Sequence, residues 1–215
     1  MMAENQDNST HDSPRLILAS QSPRRASLLT EYGYEFEVVP PLLHEPRQKA
    51  GGLSPAQIAE AISYFKARSV AERIRRGIIL GADTIVSLGH ELFGKPADRA
   101  HARRTLQTLA GTTHQVITGV TLFDAGAGFR MINHAQTSVT MRPLTPKEID
   151  AYLDTGAWEG KAGAYGIQDL GDAFVTRVEG SFTNVVGLPM ELIGQLFCRF
   201  DLHPTGARAP RPPWS

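Results

Sequence analysis

The chain has 215 residues, and its 22 Lys+Arg against 22 Asp+Glu leave no formal net charge, which argues against a nucleic-acid polymer as partner. An apolar share of 41% with 20% charged residues fits a globular protein with one sizeable core. The single cysteine, Cys198, excludes an intrachain disulfide and a cysteine-based zinc site; in the apolar run 192–200 it reads as a small buried hydrophobe.

Residues 1–13 are polar and carry no apolar signal-peptide core, so they read as a disordered tail. No apolar run approaches the ~18 residues that a membrane span needs, and the expected location is the cytoplasm. Leu16-Ile17-Leu18 reads as a short buried strand. Ser22 follows as a helix N-cap with Pro23 at the first helical position, and Gly33 closes the helix. Arg24 and Arg25 then fall in the first turn, where the helix dipole and free N–H groups already favour an anion. Cations there oppose the dipole. The pair makes sense with something strongly negative docked beside it, and a polyphosphate is the obvious candidate.

Residues 34–40 alternate like a half-buried strand, and a loop follows through Gly52. Ser54-Pro55-Ala56-Gln57 is a capping box, with Leu53 and Ile58 placed as a hydrophobic staple. Its helix should run to about residue 75, before Gly77. Ile78 to Val86 is a nearly continuous apolar run, as in a strand buried on both faces, and Asp83 is its one charge. Residues 88–92 turn a hairpin, and Asp98 caps a helix ending at Gly111. Residues 114–123 and 129–140 are two long strands joined by a Gly-rich turn. Thr145-Pro146-Lys147-Glu148 is a second capping box, with Leu144 and Ile149 as its staple, on a helix stopping near Gly156. A Gly-rich segment, 160–171, leads into a strand over 173–178, and residues 188–200 form the last helix. The Pro- and Arg-rich stretch 203–215 reads as a second disordered tail, so a single domain is expected over 14–202. Strands and helices interleave but one strand pair is a hairpin, so the expected fold is α/β with a mixed sheet flanked by helices.

Burying Asp83 is costly unless the carboxylate is paired or holds a metal. Taken alone, it fits a structural carboxylate accepting backbone N–H bonds as well as a functional one. Lys66 sits mid-helix, Lys95 in the turn Phe93-Gly94-Lys95-Pro96, and Lys161 in Gly160-Lys161-Ala162-Gly163. Each alone fits a solvated lysine. As a set with Arg24 and Arg25 they suit a triphosphate site, with Asp83 beside a hard divalent cation. Glu45, in a loop, would help to hold that cation. Gln168 offers both a donor and an acceptor, as reading a base edge requires, although it also fits an incidental loop residue. No Walker A, dinucleotide-binding GxGxxG, HExxH or GxSxG pattern occurs.

Six segments together resemble the Maf family of nucleoside triphosphate pyrophosphatases, also known as septum formation inhibitors. They are Leu18-Ala-Ser-Gln-Ser-Pro-Arg-Arg25, Gly81-Ala-Asp-Thr84, Gly94-Lys-Pro96, Gly111-Thr-Thr-His-Gln-Val116, Lys161-Ala-Gly-Ala-Tyr-Gly-Ile-Gln168 and Gly180 through Pro189. The resemblance implies two lobes around a central cleft, a homodimer, and hydrolysis of a nucleoside triphosphate to the monophosphate and pyrophosphate with Mg²⁺ or Mn²⁺. By the same resemblance Asp83 is the base. Ser22, Arg24, Arg25, Lys66, Lys95 and Glu45 surround the phosphates and metal. Arg24, Thr84 and Gln168 occupy the positions that divide subfamilies, and this set is similar to the dTTP/UTP branch rather than the 7-methyl-GTP branch. His44 and Asp169 depart from the family pattern, which usually has an acidic residue and a glycine there. The competing reading is a non-catalytic nucleotide-binding regulator of cell division; retention of Asp83 and Glu45 favours the enzyme.

Overall fold

The structure, a computed structural model, describes residues 14–42, 52–168 and 170–205. Leu16–Ala19 forms the buried strand β1 and turns through Ser20 to Ser22 into helix α1 (Pro23–Glu31). There follow β2 (Glu37–Val38), α2 (Pro55–Ala71), β3 (Ile78–Leu88), β4 (Glu91–Phe93) and α3 (Arg99–Leu109). Then come β5 (Thr113–Asp124), β6 (Arg130–Met141), α4 (Pro146–Asp154), β7 (Val175–Glu179), α5 (Phe182–Val186) and α6 (Met190–Phe197). Ser54 and Thr145 both close their capping boxes, and Asp98 caps α3 by accepting from the His101 N–H.

The strands make one mixed sheet in the order β2-β1-β3-β5-β6-β7, with β4 also paired to β3. β1 runs parallel to β2 and β3, and the other pairs are antiparallel. β1 pairs with β3 only as far as Gly81, while the pairing of β3 with β4 begins at Val86. On that edge, residues 82–85 of β3 therefore have no partner strand. Asp83 and Thr84 lie in this gap, at the carboxyl end of β1, where ligands bind in open α/β sheets.

Two apolar clusters flank the gap. Leu80, Ala82, Val120 and Leu122 pack with α1 and α6 in one, while Val86, Val116 and Met141 pack with α3 and α4 in the other. Two lobes thus share one sheet. On the opposite face α2 lies so close that a Cβ on Gly81 would meet the Ser63 carbonyl oxygen at 2.3 Å. On Gly119 it would meet the Ala59 carbonyl carbon at 2.2 Å. Only glycine fits at either place, and this contact carries Lys66 onto the sheet beside Asp83.

Five expectations need correction. β2 pairs over two residues only, both exposed, because it is an edge strand that ends before Pro40-Pro41. α2 stops at Ala71 rather than near residue 75, and Leu53 stays exposed instead of being buried by a staple. The last helix, expected over 188–200, is α6 and runs only from Met190 to Phe197, and the short helix α5, which was not expected, precedes it across Gly187 at φ 128°. Cys198 is exposed, because α6 ends at Phe197 and a 3₁₀ turn carries the thiol outward.

Candidate active site

The gap in β3 opens into a cavity of about 420 Å³, within the range usual for small-molecule sites. Ser22, Arg24, Arg25, Lys66, Asp83, Thr84, Lys95, Lys161 and Gln168 all line it. They come from the β1–α1 turn, α2, β3, the turn after β4, and the Gly-rich segment after α4. Glu45, His44 and Asp169 lie outside the described residues.

The Lys66 ammonium donates to Asp83 Oδ1 at 2.5 Å, with both side chains mostly buried. Burial pulls the Lys66 pKa down; Asp83 opposes this, while the charges of Arg25 and Lys95 add to it. The cations crowd one another, which is the electrostatic condition of a site waiting for an anion.

Arg24 and Arg25 separate. Arg25 is buried and donates to the Gly187 carbonyl at 2.8 Å, Thr84 Oγ1 at 3.0 Å and Ser20 Oγ at 3.2 Å. Its pKa is lowered by burial, with Asp83 opposing. Arg24 is half-exposed and reaches across the cavity to the Gly160 carbonyl at 3.3 Å. Thr84 Oγ1 also shares a hydrogen bond with Thr118 Oγ1 at 2.9 Å. Ser22 sits at the N-cap, but its side chain makes no capping bond, and the first turn holds no acid. Lys161 is buried, whereas Lys95 and Gln168 are exposed.

A model of the Maf-like protein family matches residues 15–200. The chain belongs to that family. A dTTP/UTP pyrophosphatase from Vibrio cholerae is 44% identical to this Maf-like chain over 187 residues, covering 86% of the chain and 98% of the relative. Another, from Ruminiclostridium cellulolyticum, is 41% identical over 181 residues, covering 84% and 93%. The resemblance read from the six segments is thereby borne out.

Sequence reasoning missed Ser20, Tyr165 and the Gly187 carbonyl as parts of the cavity wall. Each lies inside a quoted segment, so a signal existed, but none is charged and nothing local marked its orientation. Among the described residues no group of three His, Cys, Asp or Glu side chains could hold a metal ion. The donor set nevertheless fits one kind of cation. Mg²⁺ in nucleotide sites takes one or two carboxylates and shares the rest of its shell with phosphates and waters. Asp83, whose Oδ2 makes no hydrogen bond among the described residues, meets that minimum. No helix of the described residues is long and apolar enough to cross a membrane.

Proposed function

We propose that this Maf-like protein hydrolyses nucleoside triphosphates, dTTP and UTP foremost, to the monophosphate and pyrophosphate. The observation that carries the reading is the Asp83 carboxylate, ion-paired to Lys66 in a cavity that Arg24, Lys95, Lys161 and one further acid, Glu159, also line. The names of the relatives support the same chemistry and the same nucleotides.

The triphosphate lies with its phosphates against the lysines and the uncapped N-terminus of α1, where the Ser22 hydroxyl and the first-turn N–H groups are available to them. Lys66 holds Asp83 by one oxygen, which fixes the carboxylate and leaves the other oxygen to take a proton from water. That water attacks the α-phosphorus, the α–β bridging P–O bond breaks, and pyrophosphate departs with the electron pair. Lys95 and Lys161 share the charge of the leaving group. A divalent cation, Mg²⁺ or Mn²⁺, would be held by Asp83 together with Glu45; it supplies neutralisation of the charge that develops on the phosphates. Arg24, Thr84 and Gln168 are assigned to base selection. The working assembly is taken as a homodimer and its place as the cytoplasm, where the nucleotide pool lies.

Incubation with dTTP, UTP, CTP and 7-methyl-GTP plus Mg²⁺, with pyrophosphate resolved from orthophosphate, tests the reaction and the substrate together. Asp83→Asn should lower turnover on the order of 10³-fold. Release of orthophosphate alone would overturn the reaction, and a folded, fully active Asn variant would overturn the role of Asp83.

A further inference from the structure

The segment 160–168 has a backbone that side chains resist. Gly160, Gly163 and Ala164 take φ values of 67°, 71° and 62°. Ala164 holds this left-handed conformation despite its Cβ and is fully buried. Such a conformation persists only where the surroundings over-determine it, and it clusters at ligand clamps. Part of the restraint is local: a Cβ on Gly171 would meet the Gly166 carbonyl oxygen at 2.9 Å, so the chain folds back tightly. Gly163 N–H also donates to the Gly94 carbonyl at 3.2 Å.

A side-chain tie to the sheet completes it. The Tyr165 hydroxyl lies 2.7 Å from His114 Nε2, and the rings meet edge to face with centroids 5.5 Å apart. Both residues are buried, and His114 belongs to β5, a central strand of the sheet. Burial lowers the His114 pKa to about 4 and raises that of the Tyr165 hydroxyl. At neutral pH the bond therefore joins two uncharged groups. Tyr165 also lines the cavity, and it falls between Lys161 and Gln168 in sequence.

Building on the nucleotide-hydrolysis reading above, we propose that Tyr165 and His114 are positioning residues. Their buried hydrogen bond pins the 160–168 segment to β5, holds Lys161 and Gln168 in one geometry, and thereby sets nucleobase selectivity. Asp83 lies on β3, apart from the pin, so the pin reaches the chemical step only through Lys161.

Tyr165→Phe keeps the ring and removes the hydroxyl; His114→Phe removes the other partner; His114→Gln restores an amide nitrogen near the place of Nε2. Steady-state kinetics with dTTP and CTP are measured alongside hydrogen exchange without nucleotide. Both Phe variants should raise KM for dTTP about 5–10-fold, lower kcat by a smaller factor through Lys161, and reduce preference for dTTP over CTP. Exchange over 160–168 should quicken about 10-fold while β3 and β5 keep their protection, and His114→Gln should recover most of each change. Unchanged exchange in the Phe variants overturns the pin, as does a loss of protection spread evenly over the sheet. Faster exchange with unaltered KM and selectivity overturns the link to substrate. If Tyr165→Phe does not fold, the two His114 variants decide. A wild-type protein that hydrolyses no triphosphate defeats the functional reading, whereas the exchange data then still decide the pin.

Discussion

Inside the protein, the Arg25 guanidinium takes the place of the water that would otherwise solvate Ser20, Thr84 and the Gly187 carbonyl. Those three groups belong to the β1–α1 turn, β3 and the end of α5, so one side chain ties together three walls of the cavity. Arg24, one residue away, spends its charge on the open side. The two substitutions should therefore differ in kind. Arg25→Ala removes three hydrogen bonds, leaves the Gly187 carbonyl unpaired and should cost about 2–4 kcal/mol of stability, read from urea denaturation. Arg24→Ala should leave the denaturation midpoint nearly unchanged and raise KM for the triphosphate at least as much as it lowers kcat. Equal effects of both on stability would contradict this division. The type of each residue was legible in the sequence, because two cations in a helix first turn ask for an anion. Their separation was not, since Arg25 and Thr84 are 59 positions apart and only the closed fold brings them together.

At the scale of the element, close packing of α2 on β3 and β5 decides where Lys66 goes. The approach is possible only because Gly81 and Gly119 present no Cβ to the helix backbone. Gly119→Ala would place its methyl 2.2 Å from the Ala59 carbonyl carbon, a backbone clash that no rotamer relieves. The expected result is a loss of about 3 kcal/mol or more in denaturant unfolding, with Lys66 moved off Asp83 and turnover reduced in whatever protein stays folded. An Ala variant with wild-type stability would mean that α2 does not sit on the sheet at this distance. Elements with strong local signals were legible: both capping boxes, the β3–β4 hairpin and the long β5–β6 pair stand where periodicity and turn residues put them. α5 was not, because five residues are too few to show a helical period. β2 was overextended because alternation marks residues suited to a strand without saying how many will find a partner.

For the whole molecule, stability against acid depends on which groups fold into places that refuse or favour a proton. His114 refuses one. Its pKa falls from 6.5 to about 4 because burial penalises the imidazolium, so the folded state stays neutral where the unfolded chain protonates. The contribution is therefore complete above pH 6.5 and is lost as pH falls from there towards 4. By pH 5 the loss should reach about 2 kcal/mol relative to pH 7.5. Glu148 acts in a lower window. The Thr145 backbone and hydroxyl and the Arg142 side chain hold its carboxyl at about 2 instead of 4.5, so its contribution is present above 4.5 and fades only as pH drops towards 2. The two windows separate the groups without a double mutant. Urea unfolding of wild type and His114→Gln at pH 7.5 and 5.0 isolates the histidine, because every other titrating group is common to both proteins. The wild type should lose about 2 kcal/mol more than the variant over this interval. Parallel losses in the two proteins would mean that His114 takes up its proton in the folded state as readily as in the unfolded chain, which a side chain buried in the α3–α4 lobe against Tyr165 should not do.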